Sequence, residues 1–284
     1  MDHAEHSGWL ASLAVLDRTS ELAGRDAMYA FALDELLCKR AGTGGPPVCH
    51  LWRHPRAFVL GLKDSRLPGA AKAADMLAEA GYEAVVRHSG GAAVPLDAGV
   101  VNVSLILPKA EAADLRFHGD FERMYALVNL ALTKLGCRAD KGEIAGSYCP
   151  GDYDLSIGGR KFCGIAQRRQ VRSYIVQAFV VAEGSGEARA EEVAAFYRLA
   201  GEGAEPGAYP AIVPDRTASL EELAGLAPGS GASAFAEAVK TTIREHRVAA
   251  GLSAALPEAD RPTDDAILEA VDALRARYGG TLNG

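Results

Sequence analysis

Two adjacent glycines, Gly158 and Gly159, separate two runs of strand-forming residues, 153–157 and 161–165. A two-residue Gly-Gly loop between such runs selects a tight antiparallel hairpin, because both positions tolerate the positive φ that the turn requires. The hairpin commits this part of the chain to a sheet. Other runs read as strands for the same reasons: 48–53, 57–62, 83–87, 100–107 (VVNVSLIL) and 173–181. Helical periodicity occupies 23–40, 69–80, 119–135, 187–200, 218–225, 233–249 and 263–277. Strands with helices inserted and appended, without a regular βαβα rhythm, predict an α+β fold with a mostly antiparallel or mixed sheet flanked by helices. The Gly- and Pro-rich stretch 201–217 reads as a linker. The expected organisation is an N-terminal segment 1–22, a core 23–205 and a C-terminal helical segment 206–284 packed on it.

With 284 residues, 49% of them hydrophobic and 24% charged, the chain can bury a large core without disulfides. That excludes a disordered, collagen-like or disulfide-dense protein. No run of about 18 apolar residues is present to span a membrane. The net charge of −7 disfavours a general nucleic-acid binder. The N-terminus lacks a cationic segment followed by an apolar one, so the expected location is cytoplasmic. The five cysteines, Cys38, Cys49, Cys137, Cys149 and Cys163, are odd in number and contain no CxxC, and so read as thiols.

No GxxxxGK[ST] occurs, and GTGGPP, GEGAEPG and GSGASA each break the dinucleotide pattern. Cys49, His50 and His54 are close in sequence. On an extended chain, however, His50 and His54 stand roughly 13 Å apart, too far for one ion. His88 beside a glycine loop is a possible base, but no spacing of Asn or Asp completes a triad.

Two segments carry the chemistry. In RHSGGAAVPLDAG (87–99) a strand ends at Arg87 and a loop of small residues follows. The alternatives there are an ordinary hairpin turn or a loop whose N–H groups hold a carbonyl oxygen, with Arg87 adding fixed charge. In GSYCPGDYDLSIGGRKFCGIAQRR (146–169) Cys149 lies in a loop, not inside an apolar strand as Cys163 does. A free thiol has a pKa near 8.5, so a nucleophilic Cys149 needs a nearby cation. Lys161, paired across the turn with Ser156, is the candidate, provided Pro150-Gly151 turns the chain back towards it. A loop thiol, a cation and an oxyanion loop together suit acyl transfer through a thioester. Arg160, Lys161, Arg168, Arg169 and Arg172 cluster within 160–172 without an acid. They read either as a solvated strand face or as a patch for an acidic partner.

RHSGGAAV (87–94) and DLSIGGRKFCGIAQRR (154–169) resemble the lipoate–protein ligase and octanoyltransferase family, which shares its fold with biotin–protein ligases. LGLKDSRLP (60–68), the stretch 89–108 and the stretch 146–169 look more narrowly like the octanoyl-[GcvH]:protein N-octanoyltransferases, or lipoyl amidotransferases. The resemblance covers roughly residues 25–200. It implies that Cys149 takes an octanoyl or lipoyl group from a lysine of the glycine-cleavage H protein as a thioester. The acyl group then passes to a lysine in the lipoyl domain of a 2-oxoacid dehydrogenase E2 subunit. Lys161 would lower the Cys149 pKa and bind the acyl carbonyl. Arg87, Ser89, Gly90, Gly91, Ala92, Gly146, Ser147 and Gly164 would bind the acyl group. Val85, Val94 and Leu105 are candidates for the tunnel wall. Arg160, Arg168, Arg169 and Arg172 would meet the partner. No nucleotide, metal or organic cofactor is implied. Where the ATP-using ligases often have a third glycine and then a histidine, this chain has Ala92 and Pro95-Leu96-Asp97. The related alternatives are an octanoyltransferase that draws from acyl-carrier protein and an ATP-dependent ligase.

Overall fold

A computed structural model describes residues 8–22, 26–109 and 117–278. In chain order the elements are α1 (Gly8–Ala11), β1 (Ala14–Arg18), α2 (Met28–Ala41), β2 (Val48–Trp52), β3 (Arg56–Leu60), α3 (Ala70–Glu79), β4 (Glu83–Val86), β5 (Val94–Asp97), β6 (Val100–Pro108) and α4 (Phe117–Lys134). Then come β7 (Asp140–Lys141), β8 (Leu155–Ile157), β9 (Arg160–Arg169), β10 (Ser173–Val181), α5 (Gly186–Ala200), α6 (Leu220–Ala224), α7 (Gly231–Ala249) and α8 (Asp264–Tyr278). The expected helix over 23–40 starts at Met28, and residues 23–25 of that expectation lie outside the described residues.

Seven strands form the larger sheet in the order β1-β2-β6-β10-β9-β8-β7. β1 runs parallel to β2, and every later pairing is antiparallel. The sheet is thus mixed and mostly antiparallel, as the hairpin signal implies. Ser156 stands opposite Lys161 across the Gly158-Gly159 turn. β6 shows why the sheet can be covered on both faces. Val101, Val103 and Leu105 join a core with Met124, Leu127 and Val128 of α4 and Phe235 and Val239 of α7. Val100 and Ile106 of the same strand belong to a second core with α2 and the smaller sheet. Between them on that second face stand two polar residues, Asn102 and Ser104. Alternation of side chains along a strand separates these sets.

The smaller sheet has the order β4-β3-β5. β3 is central, parallel to β4 and antiparallel to β5. Residues 87–93 therefore cross from one edge to the other past the end of β3. They are not the turn of a hairpin, the alternative reading of that stretch. Pro95 is tolerated in β5 because β5 is an edge strand. The crossing is tight: a Cβ added at Gly61, just after β3, would lie 2.2 Å from the Gly91 carbonyl oxygen. Only glycine allows this approach.

Candidate active site

Cys149 has φ +47°, the one positive φ at a non-glycine among the described residues. For an L-residue that backbone costs about 1–3 kcal/mol and persists only where the surroundings enforce it. The enforcement is visible. The Lys161 ammonium donates to the Tyr148 carbonyl at 2.9 Å and to the Cys149 carbonyl at 2.6 Å. It also pairs with Asp154 Oδ1 at 2.7 Å, with both side chains about 1% exposed. Asp154 in turn accepts the Gly151 N–H at 3.2 Å. Burial raises the Asp154 pKa, and the charge and hydrogen bond of Lys161 oppose that rise. Residues 148–154 are thus folded back on β9, the return that Pro150-Gly151 was expected to make.

The hydrogen bonds of Lys161 go to the backbone and to Asp154. An ammonium has three N–H donors, and Tyr148, Cys149 and Asp154 take all three. Lys161 meets the backbone of the nucleophile rather than its sulfur, and it has no donor left for an acyl carbonyl. The groups bonded to Cys149 Sγ come from the glycine loop: Arg87 Nη2 at 3.4 Å and the Ala92 N–H at 3.3 Å. Arg87 also donates to the Ala92 carbonyl at 2.6 Å, which fixes the loop around the sulfur. Gly91, with φ +101°, completes the turn. A Cβ there would lie 2.4 Å from Arg87 Nη2 and 3.1 Å from Cys149 Sγ. The other cysteines sit in environments that keep them protonated. Burial pushes Cys38 and Cys49 up to about 12, and raises Cys137 and Cys163 as well.

The loop is held from behind by a buried polar chain. Tyr197 of α5 accepts the Ala93 N–H at 3.1 Å and donates to Asp64 at 2.9 Å. Asp64 also accepts the Gly61 N–H at 2.8 Å. Burial raises the Asp64 pKa.

Cys149 lies in the wall of a pocket lined by residues of both sheets. Of the residues expected to bind or enclose the acyl group, Arg87, Gly91, Gly164 and Val94 line this pocket. Gly164 leaves room for the Phe179 ring, which a Cβ would meet at 2.4 Å. Ser89, Gly90, Ala92, Gly146 and Ser147 are not part of the pocket wall, although Ala92 reaches the sulfur through its N–H. Val85 and Leu105 also lie elsewhere; Leu105 faces the α4–α7 core. Sequence reasoning missed Phe31, Trp52, Asn102, Ser104, Gln177 and Phe179, all of which line the pocket. The polar alternation of Asn102 and Ser104 within an otherwise apolar strand was the available signal. His50 is bonded to Asp34 at 2.8 Å inside the protein, while Cys49 on the opposite face of β2 joins the other core.

The basic cluster is also rearranged by the fold. Arg168 pairs with Glu35 of α2 and Arg169 with Asp120 of α4. Arg160 donates to the backbone of Asp215 and Thr217. Arg172 remains exposed at the β9–β10 turn. His88 bonds the same Glu35 at 2.9 Å, so it ties the glycine loop to α2. Burial works against the Glu35 carboxylate, but hydrogen bonds from His88 and Arg168 outweigh it and hold the group at about 2.

A two-sheet α+β fold, a loop cysteine and a glycine loop over an apolar pocket define an acyl-handling catalytic domain. Residues 26–244 match the lipoyl protein ligase A/B catalytic domain family, and the chain belongs to that family. Within it, the chain is similar to the octanoyl-[GcvH]:protein N-octanoyltransferase of Geobacillus kaustophilus, with 46% identity over 202 residues, 70% of this chain and 71% of that one. Its counterpart in Exiguobacterium sibiricum is 43% identical over 210 residues, 74% of this chain and 76% of that one. Among solved structures, lipoate-protein ligase A bound with ATP superposes with a TM-score of 0.66 at 17% identity, covering 95% of this chain and 98% of that one. A bi-partite lipoate protein ligase from Thermoplasma acidophilum gives 0.65 at 17% identity, covering 95% and 94%. These two likenesses concern the fold alone. No helix of the described residues is long and apolar enough to cross a membrane.

Proposed function

We propose that the chain is a cytoplasmic acyltransferase of lipoate assembly. It moves an octanoyl group from the lysine of glycine-cleavage H protein to the lysine of lipoyl domains on E2 subunits, by way of a thioester on Cys149. The relatives named for octanoyl transfer from GcvH support the donor. The observation that carries the chemistry is a strained cysteine whose sulfur receives a guanidinium and a backbone N–H at the mouth of an apolar pocket.

In the first step Cys149 Sγ attacks the acyl carbonyl carbon of the donor amide. The C–S bond forms, the C–N bond breaks, and the carrier lysine leaves as an amine after taking the proton that the thiol gives up. In the second step the neutral amine of the acceptor lysine attacks the thioester, the C–N bond forms, the C–S bond breaks, and the departing Cys149 sulfur takes up the proton that the amine loses. Donor and product are both lysine amides of nearly equal energy, so no nucleotide is consumed. The task is to stabilise the two tetrahedral intermediates. The Ala92 N–H and Arg87 serve first the sulfur and then the developing oxyanion. Lys161 and Asp154 act as positioning residues that hold Cys149 in its left-handed conformation. Burying the seven non-carbonyl carbons contributes on the order of 5 kcal/mol before entropy costs. Among the expected partner contacts, Arg172 is the arginine left to face an acidic domain.

Intact mass spectrometry after mixing with octanoylated H protein, without ATP, tests this reading. A single octanoyl adduct that is lost in Cys149→Ala is expected. Normal turnover by Cys149→Ser would overturn it.

A further inference from the structure

The pocket has a direction. Gly164, Phe179, Asn102 and Trp52 stand opposite one another on four successive strands, β9, β10, β6 and β2. All four line the pocket. Neighbouring strands lie about 4.8 Å apart, so Asn102 stands roughly 10 Å and Trp52 roughly 14 Å from Gly164. The backbone of Cys149 is tethered near the Gly164 end. Lys161, whose Cε lies 3.4 Å from a Cβ built on Gly164, is the residue that holds the Cys149 carbonyl. An extended eight-carbon acyl chain, with C–C bonds of about 1.5 Å in zigzag, reaches roughly 9 Å from its carbonyl carbon. It ends at Asn102. Trp52 stands behind, with Phe31 packed edge-on against it at 5.4 Å.

That end of the pocket is polar, although an octanoyl tail is not. Most of the polarity is satisfied internally. Ser104 donates to Asp34 at 2.6 Å, Gln177 donates to Asp34 at 2.8 Å, and Trp52 Nε1 donates to Ser104 at 3.4 Å. Asn102 differs. It is 6% exposed, and its Nδ2 is buried with no hydrogen-bond partner among the described residues. A buried amide donor left unmet is unfavourable, and a hydrocarbon tail cannot meet it.

We propose that Asn102 is a specificity-determining residue that reads the far end of the acyl chain. It favours chains that carry a hydrogen-bond acceptor, oxygen or sulfur, at about the sixth to eighth carbon over plain hydrocarbon of the same length. This inference rests on Cys149 being the acyl-carrying residue.

The test is a competition. The protein is mixed with equal amounts of H protein carrying octanoyl or 7-oxooctanoyl groups, and the two adducts on Cys149 are counted by intact mass spectrometry. Wild type should favour the oxo chain about tenfold, the worth of one hydrogen bond. Asn102→Leu should abolish or reverse that preference, read as the ratio of the two adducts. Asn102→Ser, which is smaller and keeps a donor, provides a second variant if the leucine variant does not fold. Equal loading of both chains by wild type, or an unchanged ratio in folded Asn102→Leu, would overturn the inference and leave the thioester reading intact. Absence of any adduct on wild-type Cys149 would instead overturn the thioester reading, and this inference with it.

Discussion

Lys161 and Asp154 form an ion pair sealed from solvent, 2.7 Å from ammonium to carboxylate, beneath the backbone of the residue proposed to carry the acyl group. Breaking such a pair by removing one partner costs about 3–5 kcal/mol, because the other charge is left buried and uncompensated. Lys161→Met should therefore lower stability by that amount in chemical denaturation. Removing both charges, as in Lys161→Met with Asp154→Leu, should recover much of the stability. Acyl transfer should stay lost, because nothing then holds the Cys149 carbonyl. A double variant with restored activity would contradict the positioning role.

Arg87 is the side chain bonded to the sulfur, and its removal separates the fate of Cys149 from that of the other thiols. At neutral pH iodoacetamide should modify Cys149 first. Cys38 and Cys49, pushed up to about 12, should resist until the protein unfolds. Arg87→Met should slow Cys149 modification by about tenfold or more, the worth of one charge-assisted hydrogen bond. Peptide mapping of the alkylated protein gives the answer.

Tyr197 joins the glycine loop to Asp64 through two hydrogen bonds of its hydroxyl. Tyr197→Phe removes both bonds and leaves the ring packing in place. A stability loss of about 1–3 kcal/mol is expected, since the Ala93 N–H and Asp64 lose a buried partner. The rate of Cys149 acylation in a single turnover should fall, with donor affinity little changed. A rate equal to that of wild type would show that the loop keeps its place without the tyrosine.

Gly91→Ala probes the same loop sterically. The new methyl would stand 2.4 Å from Arg87 Nη2 on a backbone with φ +101°. The fold should survive with a loss of about 1–2 kcal/mol from the left-handed backbone. Acyl transfer should be abolished, because Arg87 must leave the sulfur to make room. Circular dichroism melts beside the mass-spectrometric assay distinguish the two effects.

What could be read from the chain alone divides along a physical line. The Gly158-Gly159 hairpin, β6 and β10 were legible because their signals are local: turn residues at fixed offsets and runs of β-branched side chains. β1 escaped notice because five residues, AVLDR, are too few to show a period, and its pairing with β2 is parallel and distant. β5 was hidden by Pro95, which only its edge position permits. At the site, the loop cysteine and the hairpin lysine were found, but their relationship was not. A lysine 12 residues from a cysteine reads as its counter-ion, whereas the observed donor, Arg87, is 62 residues away. The ion pairs of the basic stretch 160–172 were illegible for the same reason. Its neutralising acids, Glu35 and Asp120, arrive from α2 and α4, and only the tertiary fold brings them in.

Glu35 carries the last prediction, a dependence of stability on pH. Its folded-state pKa is held at about 2, below its ordinary 4.5, because hydrogen bonds from His88 and then Arg168 overcome the effect of burial. A carboxyl whose pKa is depressed by folding binds fewer protons when folded than when unfolded. Its contribution is therefore fully present above about 4.5 and is lost as the pH falls from there through about 2. The glycine loop should loosen over that window, since His88 ties it to α2 through Glu35. Glu35→Gln should be less stable than wild type at neutral pH, and its acid denaturation curve should be flatter between those limits. Urea midpoints measured at several pH values for both proteins provide the check. Parallel curves would show that the carboxylate and its bonds to His88 and Arg168 do not stabilise the loop.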